Sequence, residues 1–225
     1  MFTHVGATVH YEDLTSSSKN GQRWYTTPEG NSYPSITTIL GFEVKTEILQ
    51  WRLALGTVKA DKETQRCADR GTAVHLMAER YLNNEEDSTR DQSNENIKMF
   101  NQLKYQLNKI NNIHAQEIAL YSDALRLAGR CDCIGEYDNV LSIIDFKTSN
   151  NTKDEKMIEN YFMQCTAYSL MYEELTGICI DQFVILITVE KGMIPLRFIK
   201  KRDAYIAPLM KQITKFQTTF GIAKE

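Results

Sequence analysis

The 225-residue sequence predicts an α/β fold: a central mixed β-sheet flanked by helices, with a helical elaboration toward the N-terminus. Three observations predict it. Segments with apolar residues at helical spacing alternate with short segments that are either strictly alternating or continuously apolar. Their order is helices, three strands, a helix, two strands and a last helix. Hydrophobic residues make up 42% of the chain, enough for one full core. With no internal repeat and no clean linker, residues 1–225 read as a single domain. Its expected parts are an N-terminal elaboration over 1–60, a core over 61–190 and a C-terminal strand and helix over 191–225.

Each element has its own signal. The stretch up to Asn31 is polar, with "SSSKNG" and "TPEGN" as turn signals, and reads as loop. Pro34 precedes Ser35, an N-cap for a short helix, and "TEILQWRLAL" from Thr46 reads as a second. A third helix is expected over 61–82. After the acidic loop "NNEEDSTRDQSNEN", Ile97, Phe100, Leu103, Leu107 and Ile110 lie on one face of a fourth. "AQEIALYS" and two runs within "LAGRCDCIGEYDNVLSIIDFKTS" read as strands. A helix over about 154–175 follows, closed by Gly177. "DQFVILITVE" and "IPLRFIK" complete the sheet, and an amphipathic helix covers 203–220.

Composition excludes several classes of function. No apolar run approaches the roughly 18 residues of a membrane span, and "MFTHVGATVHYEDL" lacks the regions of a signal peptide, so a cytoplasmic protein with no membrane partner is expected. Cys67, Cys131, Cys133, Cys165 and Cys179 are scattered and odd in number, which fits reduced core thiols rather than a disulfide framework or a paired-cysteine metal site. Cys131 and Cys133 alternate with Asp132 and are expected to share one strand face. The net charge of −3 argues against nonspecific coating of nucleic acid. Basic residues concentrate after position 190, eight against two acidic ones, where "RFIKKR" could face phosphate.

The two apolar strands of the quoted stretch each carry an aspartate. If Asp138 and Asn139 form a two-residue hairpin loop, Tyr137 pairs with Val140 and Asp132 falls opposite Asp145, with Cβ atoms about 4.5–5.5 Å apart. Lys147, two residues on, projects from the same face as Asp145. Facing carboxylates repel, and a divalent cation is one way to offset that; pairing with Arg130 and Lys147, or a solvated face, is another. His75 and Glu79 share a helix face four residues apart, and Gln164 is the one strongly polar member of a stripe that includes Tyr161, Tyr168 and Met171.

The motifs "GTAVH", "GRCD", "IDFK" and "QCTAY", in this order, resemble the PD-(D/E)XK nuclease superfamily, and within it the RecB-type exonucleases, which include phage exonucleases and the mitochondrial genome maintenance exonuclease. "PEGNSYPSITTIL" is similar to the opening of the phage enzymes. The resemblance implies a restriction-endonuclease-like core and a metal-dependent DNA exonuclease, phage-encoded and acting on single strands or DNA ends in the host cytoplasm. It implies Asp132, Asp145, His75 and the backbone carbonyl of Phe146 as metal ligands, with Glu117 and, further off, Glu79 as additional acids. Lys147 would position the attacking water; Gln164 and Tyr168 would steady the lysine or contact DNA. The implied cofactor is Mg²⁺, with Mn²⁺ as a substitute, and no iron-sulfur cluster. Arg70, Arg130, Ser35 and Thr37 are candidates for DNA contacts, and Trp24, Tyr25 or Trp51 for base stacking. A structure-selective endonuclease and a non-catalytic DNA-end binding module are the alternatives; oligomeric state stays open.

Overall fold

The computed structural model describes residues 1–6, 9, 13–43 and 46–221. The polar stretch expected as loop instead holds two strands, β1 (Thr15–Lys19) and β2 (Gln22–Thr26), which form an antiparallel sheet with β3 (Ser32–Pro34) just after it. Asn20 and Gly21 both take positive φ, 53° and 75°, and form the tight turn between β1 and β2. β1 is exposed along its whole length, so no buried face marks it in the sequence.

Helix α1 (Ile36–Gly41) starts as expected: the Thr38 N–H donates to Ser35 Oγ at 3.0 Å. Helices α2 (Thr46–Leu55) and α3 (Thr57–Leu82) meet at Gly56, whose φ of 81° no ordinary side chain favours, so α3 begins four residues before the expected Asp61. Helix α4 (Asn94–Leu107) is capped by Ser93 and ends earlier than expected. Ile110, expected on its apolar face, opens strand β4 (Ile110–Ser122) instead, with its side chain buried there.

The central sheet adds β5 (Leu127–Tyr137), β6 (Val140–Ser149), β7 (Gln182–Val189) and β8 (Leu196–Lys201), ordered across the sheet as in the chain. β6 and β7 are parallel and the other neighbours antiparallel, so the sheet is mixed. Helix α5 (Glu159–Thr176), preceded by a single 3₁₀ turn over 156–158, is the crossover that a parallel pair needs, and α6 (Asp203–Phe220) follows β8. Alternate residues divide the core. Ile143, Phe183, Ile185 and Ile187 pack with residues of α1, α5 and α6, while Ile144, Phe146, Val184 and Leu186 pack with α3 and α4.

Cys131 and Cys133 do not share a face. Cys131 packs on the α5 side and Cys133 on the α3–α4 side, because the strand alternation slips by one residue at Asp132. At the same point the β4–β5 ladder pairs Ile118 with Cys131 and Gln116 with Cys133 but skips Glu117, whose φ is 47°.

Gly129 lets α1 and α5 close on the sheet beside this irregularity. A Cβ there would stand 2.8 Å from Tyr168 Cε1 and 3.0 Å from Ile36 Cγ2, both buried side chains with little room to move. Gly129→Ala is expected to destabilise the fold by about 1–3 kcal/mol in denaturant titration, with partial recovery in Gly129→Ala/Tyr168→Leu; unchanged stability of the single variant would contradict this packing.

Candidate active site

The hairpin β5–β6 turns at Asp138 and Asn139, both with positive φ (49° and 65°), and its register pairs Tyr137 with Val140 and Cys133 with Ile144. The next step would pair Asp132 with Asp145, but the ladder stops there. Instead the Phe146 N–H donates to Asp132 Oδ2 at 2.8 Å, so the side chain of Asp132 takes over a backbone acceptor's part. The strands splay at this point and leave a cleft of about 500 Å³ between α3, α5 and α1.

Helix α3 supplies one wall through Gly71, His75 and Glu79, spaced four apart on one stripe, while Val74, Ala78 and Leu82 on the neighbouring stripe are buried against the sheet. His75 Nδ1 lies 3.5 Å from Asp132 Oδ2. Glu117 joins them from β4: donor atoms of His75, Glu117 and Asp132 lie within 4.8 Å of one another. The left-handed backbone at Glu117 is held by Arg130, whose Nη1 donates to the Glu117 carbonyl while Nη2 is bonded to both oxygens of Asp13 at 2.6 and 2.8 Å. Burial, reinforced by the charge of Asp132, raises the Glu117 carboxyl to about 7 against the partial relief of His75.

Asp145 is fully buried on the α5 side of the cleft. Its Oδ2 lies 2.5 Å from Lys147 Nζ, and its Oδ1 accepts a long bond, 3.4 Å, from Gln164 Nε2. The second hydrogen of that amide goes to the Tyr168 hydroxyl at 2.9 Å, which leaves the phenol free to donate toward the cleft. Burial pushes the Asp145 carboxyl up, opposed by Lys147. Burial pulls Lys147 down, but Asp145 and Asp132 outweigh it and hold the ammonium above the ordinary lysine range. Lys147 also sits 5.3 Å from the Tyr161 ring centroid, so its stem is fixed between α5 and the sheet.

Asp132, Lys147, Gln164, Tyr168, His75, Glu117 and Glu79 thus line one cleft, together with Ser35, Thr37 and Arg130. Asp145 stands just behind it, with Phe146 bonded to Asp132. Arg70 goes elsewhere: it is 6% exposed and its Nη1 donates to Glu190 at 3.0 Å, outside the cleft. Its sequence position beside "GTAVH" gave no sign of that partner, 120 residues away. Of the aromatic candidates, Tyr25 is buried in the cleft wall, Trp24 lies under Lys19 and Trp51 is exposed on α2. The basic C-terminal region is largely neutralised, with Lys200 paired to Glu155, Lys201 to Asp181, Arg202 to Glu173 and Lys215 to Glu43. Sequence reasoning missed Arg23, which lines the cleft from β2 with no motif to announce it.

The chain is 29% identical over 149 residues to mitochondrial genome maintenance exonuclease 1 of Mus musculus, covering 61% of this chain and 44% of that protein. It therefore spans less than half of that relative's length. Among solved structures it is similar to an exonuclease candidate from Eubacterium rectale, with a TM-score of 0.48, 12% identity and 69% of each chain covered. The sequence profile of the PD-(D/E)XK nuclease superfamily matches residues 48–200, more than half of the sequence and all of the cleft's acids and its lysine, and the chain belongs to that superfamily.

Proposed function

We propose that the chain is a divalent-metal-dependent deoxyribonuclease that hydrolyses phosphodiester bonds from DNA ends, with a preference for single strands. The observation that carries this reading is the convergence of Asp132, Asp145 and Lys147 where the β5–β6 ladder opens. The likeness to an exonuclease supports action from ends. The likeness of residues 28–40 to phage enzymes extends the proposal to a phage-encoded protein working in the host cytoplasm.

The residues fit a cation by their own chemistry. Asp145 Oδ2 is buried and receives no well-directed hydrogen bond despite its nearness to Lys147, and in the cleft itself the donor atoms of His75, Glu117 and Asp132 gather within 4.8 Å of one another. An oxygen-rich set with one imidazole suits Mg²⁺ and also Mn²⁺. His75, Asp132, Asp145 and the Phe146 carbonyl would hold the ion, with Glu117 beside them. When bound, it would stabilise charge on the phosphate and lower the pKa of water.

The protein's own groups set the rest. Lys147 is held protonated by its aspartates, so it orients the attacking water and faces the phosphate as a cation rather than removing a proton. Gln164 fixes Asp145 and Tyr168 together, and the free Tyr168 hydrogen can reach a phosphate oxygen. The wall of Ser35 and Thr37 offers hydroxyls to the strand.

End-labelled DNA should be degraded in Mg²⁺ or Mn²⁺ and survive in EDTA, and a closed circular single strand should stay intact. Asp145→Asn and Lys147→Ala should each lose at least about 100-fold in rate. Metal-independent cutting, or full activity in Lys147→Ala, would sink the mechanism.

Glu117 also gives a pH signature in metal-stripped protein. Its carboxyl binds a proton more tightly folded than unfolded, so stability falls as pH rises from about 4.5 through about 7. Relative to wild type, Glu117→Gln should show a shallower fall over that window in EDTA. Parallel profiles of the two proteins would contradict the raised carboxyl.

A further inference from the structure

A second groove, of about 560 Å³, opens beside the active-site cleft and shares Arg23 and Thr37 with it. Its walls run outward from the shared residues. On one side lies the β1–β2 hairpin. Ser16 pairs with Tyr25, a cleft residue, and Ser18 pairs with Arg23, so these four side chains occupy one face of the hairpin in a line leading away from the cleft. On the other side α1 presents Thr37 at the cleft, then Thr38, Gly41 and Phe42 farther out.

Arg23 stands at the junction with its backbone clamped. Its N–H donates to Thr38 Oγ1 at 3.0 Å, and its carbonyl accepts from the Ser35 N–H at 2.8 Å and the Thr38 hydroxyl at 3.2 Å. The other arginines near the cleft are committed to carboxylates, Arg130 to Asp13 and Arg66 and Arg70 to Glu190. Among the described residues no carboxylate lies within ion-pair distance of Arg23, and its side chain is exposed. An exposed cation rooted in rigid backbone and flanked by serine and threonine hydroxyls has the chemistry that binds phosphate and sugar without reading bases.

We propose that this groove is the track for the sugar-phosphate backbone of a single strand as it approaches the cleft, with Arg23 contacting a phosphate next to the one under attack. The proposal rests on the nuclease reading for its ligand. The track holds one uncommitted arginine, so affinity along it should depend only weakly on salt.

The test is binding of fluorescent oligothymidylates, from a dinucleotide to an octanucleotide, in EDTA. Wild type should gain affinity with length. Arg23→Ala should weaken the octanucleotide roughly threefold to tenfold, more than the dinucleotide, and reduce the slope of log K against log salt by about 0.7. Ser18→Glu, which puts a carboxylate beside Arg23, should weaken the octanucleotide selectively, with its melting temperature confirming that it folds. If both variants bind the octanucleotide as wild type does, or if each loses both ligands equally, the track is overturned. Wild type that gains affinity with length yet cuts nothing in Mg²⁺ or Mn²⁺ overturns the nuclease reading and leaves the track standing. Cutting without any gain from length does the reverse.

Discussion

One hydrogen bond organises the site: the Phe146 N–H donating to the Asp132 carboxylate where the next backbone pair of the hairpin should form. In a continued ladder Asp132 and Asp145 would face each other as adjacent like charges, a destabilising pair. The substitution of side chain for backbone satisfies the Phe146 amide, turns Asp132 toward α3 and leaves Asp145 on the α5 side. Asp132 then lines the cleft while Asp145 stands buried just behind it, where the sheet has opened. The slip that moves Cys131 to the other face and the left-handed Glu117 on β4 belong to the same irregularity, which Arg130 and Asp13 brace from outside.

The cost of the arrangement is concentrated at Asp145 and Lys147. Asp145 is fully buried and Lys147 partly so, and neither Gln164 nor the ion pair gives Asp145 a full set of good hydrogen bonds. A structure that evolved only for stability would fill these positions with apolar side chains, as the surrounding Ile143, Ile144 and Ile185 show. Acids that repel, with a protonated lysine paired to one of them, are what the proposed cation and phosphate site would require. The fold permits it because α3 and α5 pack firmly on either side. Gly129 is what lets Tyr168 come close enough to close that packing.

Much of this was legible in the sequence because short-range rules governed it. Asp138 and Asn139 specify the turn, and the turn specifies the register as far as Cys133 and Ile144, one step short of the expected Asp132–Asp145 pair. Helical spacing likewise places His75 with Glu79 and Gln164 with Tyr168. The N-terminal sheet was not foreseen, although "NG" is a hairpin signal, since β1 is all serine, threonine and lysine with nothing buried to support a strand. Ile110 fits a helix stripe by spacing, and only tertiary packing decides that it begins a strand. Arg70 and Glu190, or Arg130 and Asp13, are partners more than a hundred residues apart, which no local pattern reveals. The break at Asp132 was hidden for another reason: it is an exception to the alternation by which strands are read.

The central claim is that the opened ladder is a metal site built from both of its strands. Diffraction from crystals soaked in Mn²⁺, recorded for its anomalous signal, tests that most directly. The account predicts a peak ligated by Asp132, Asp145 and His75, with Lys147 released from Asp145. A peak held by His75, Glu117 and Asp132 alone, with the Asp145–Lys147 pair intact, or no peak in the cleft at all, would contradict it.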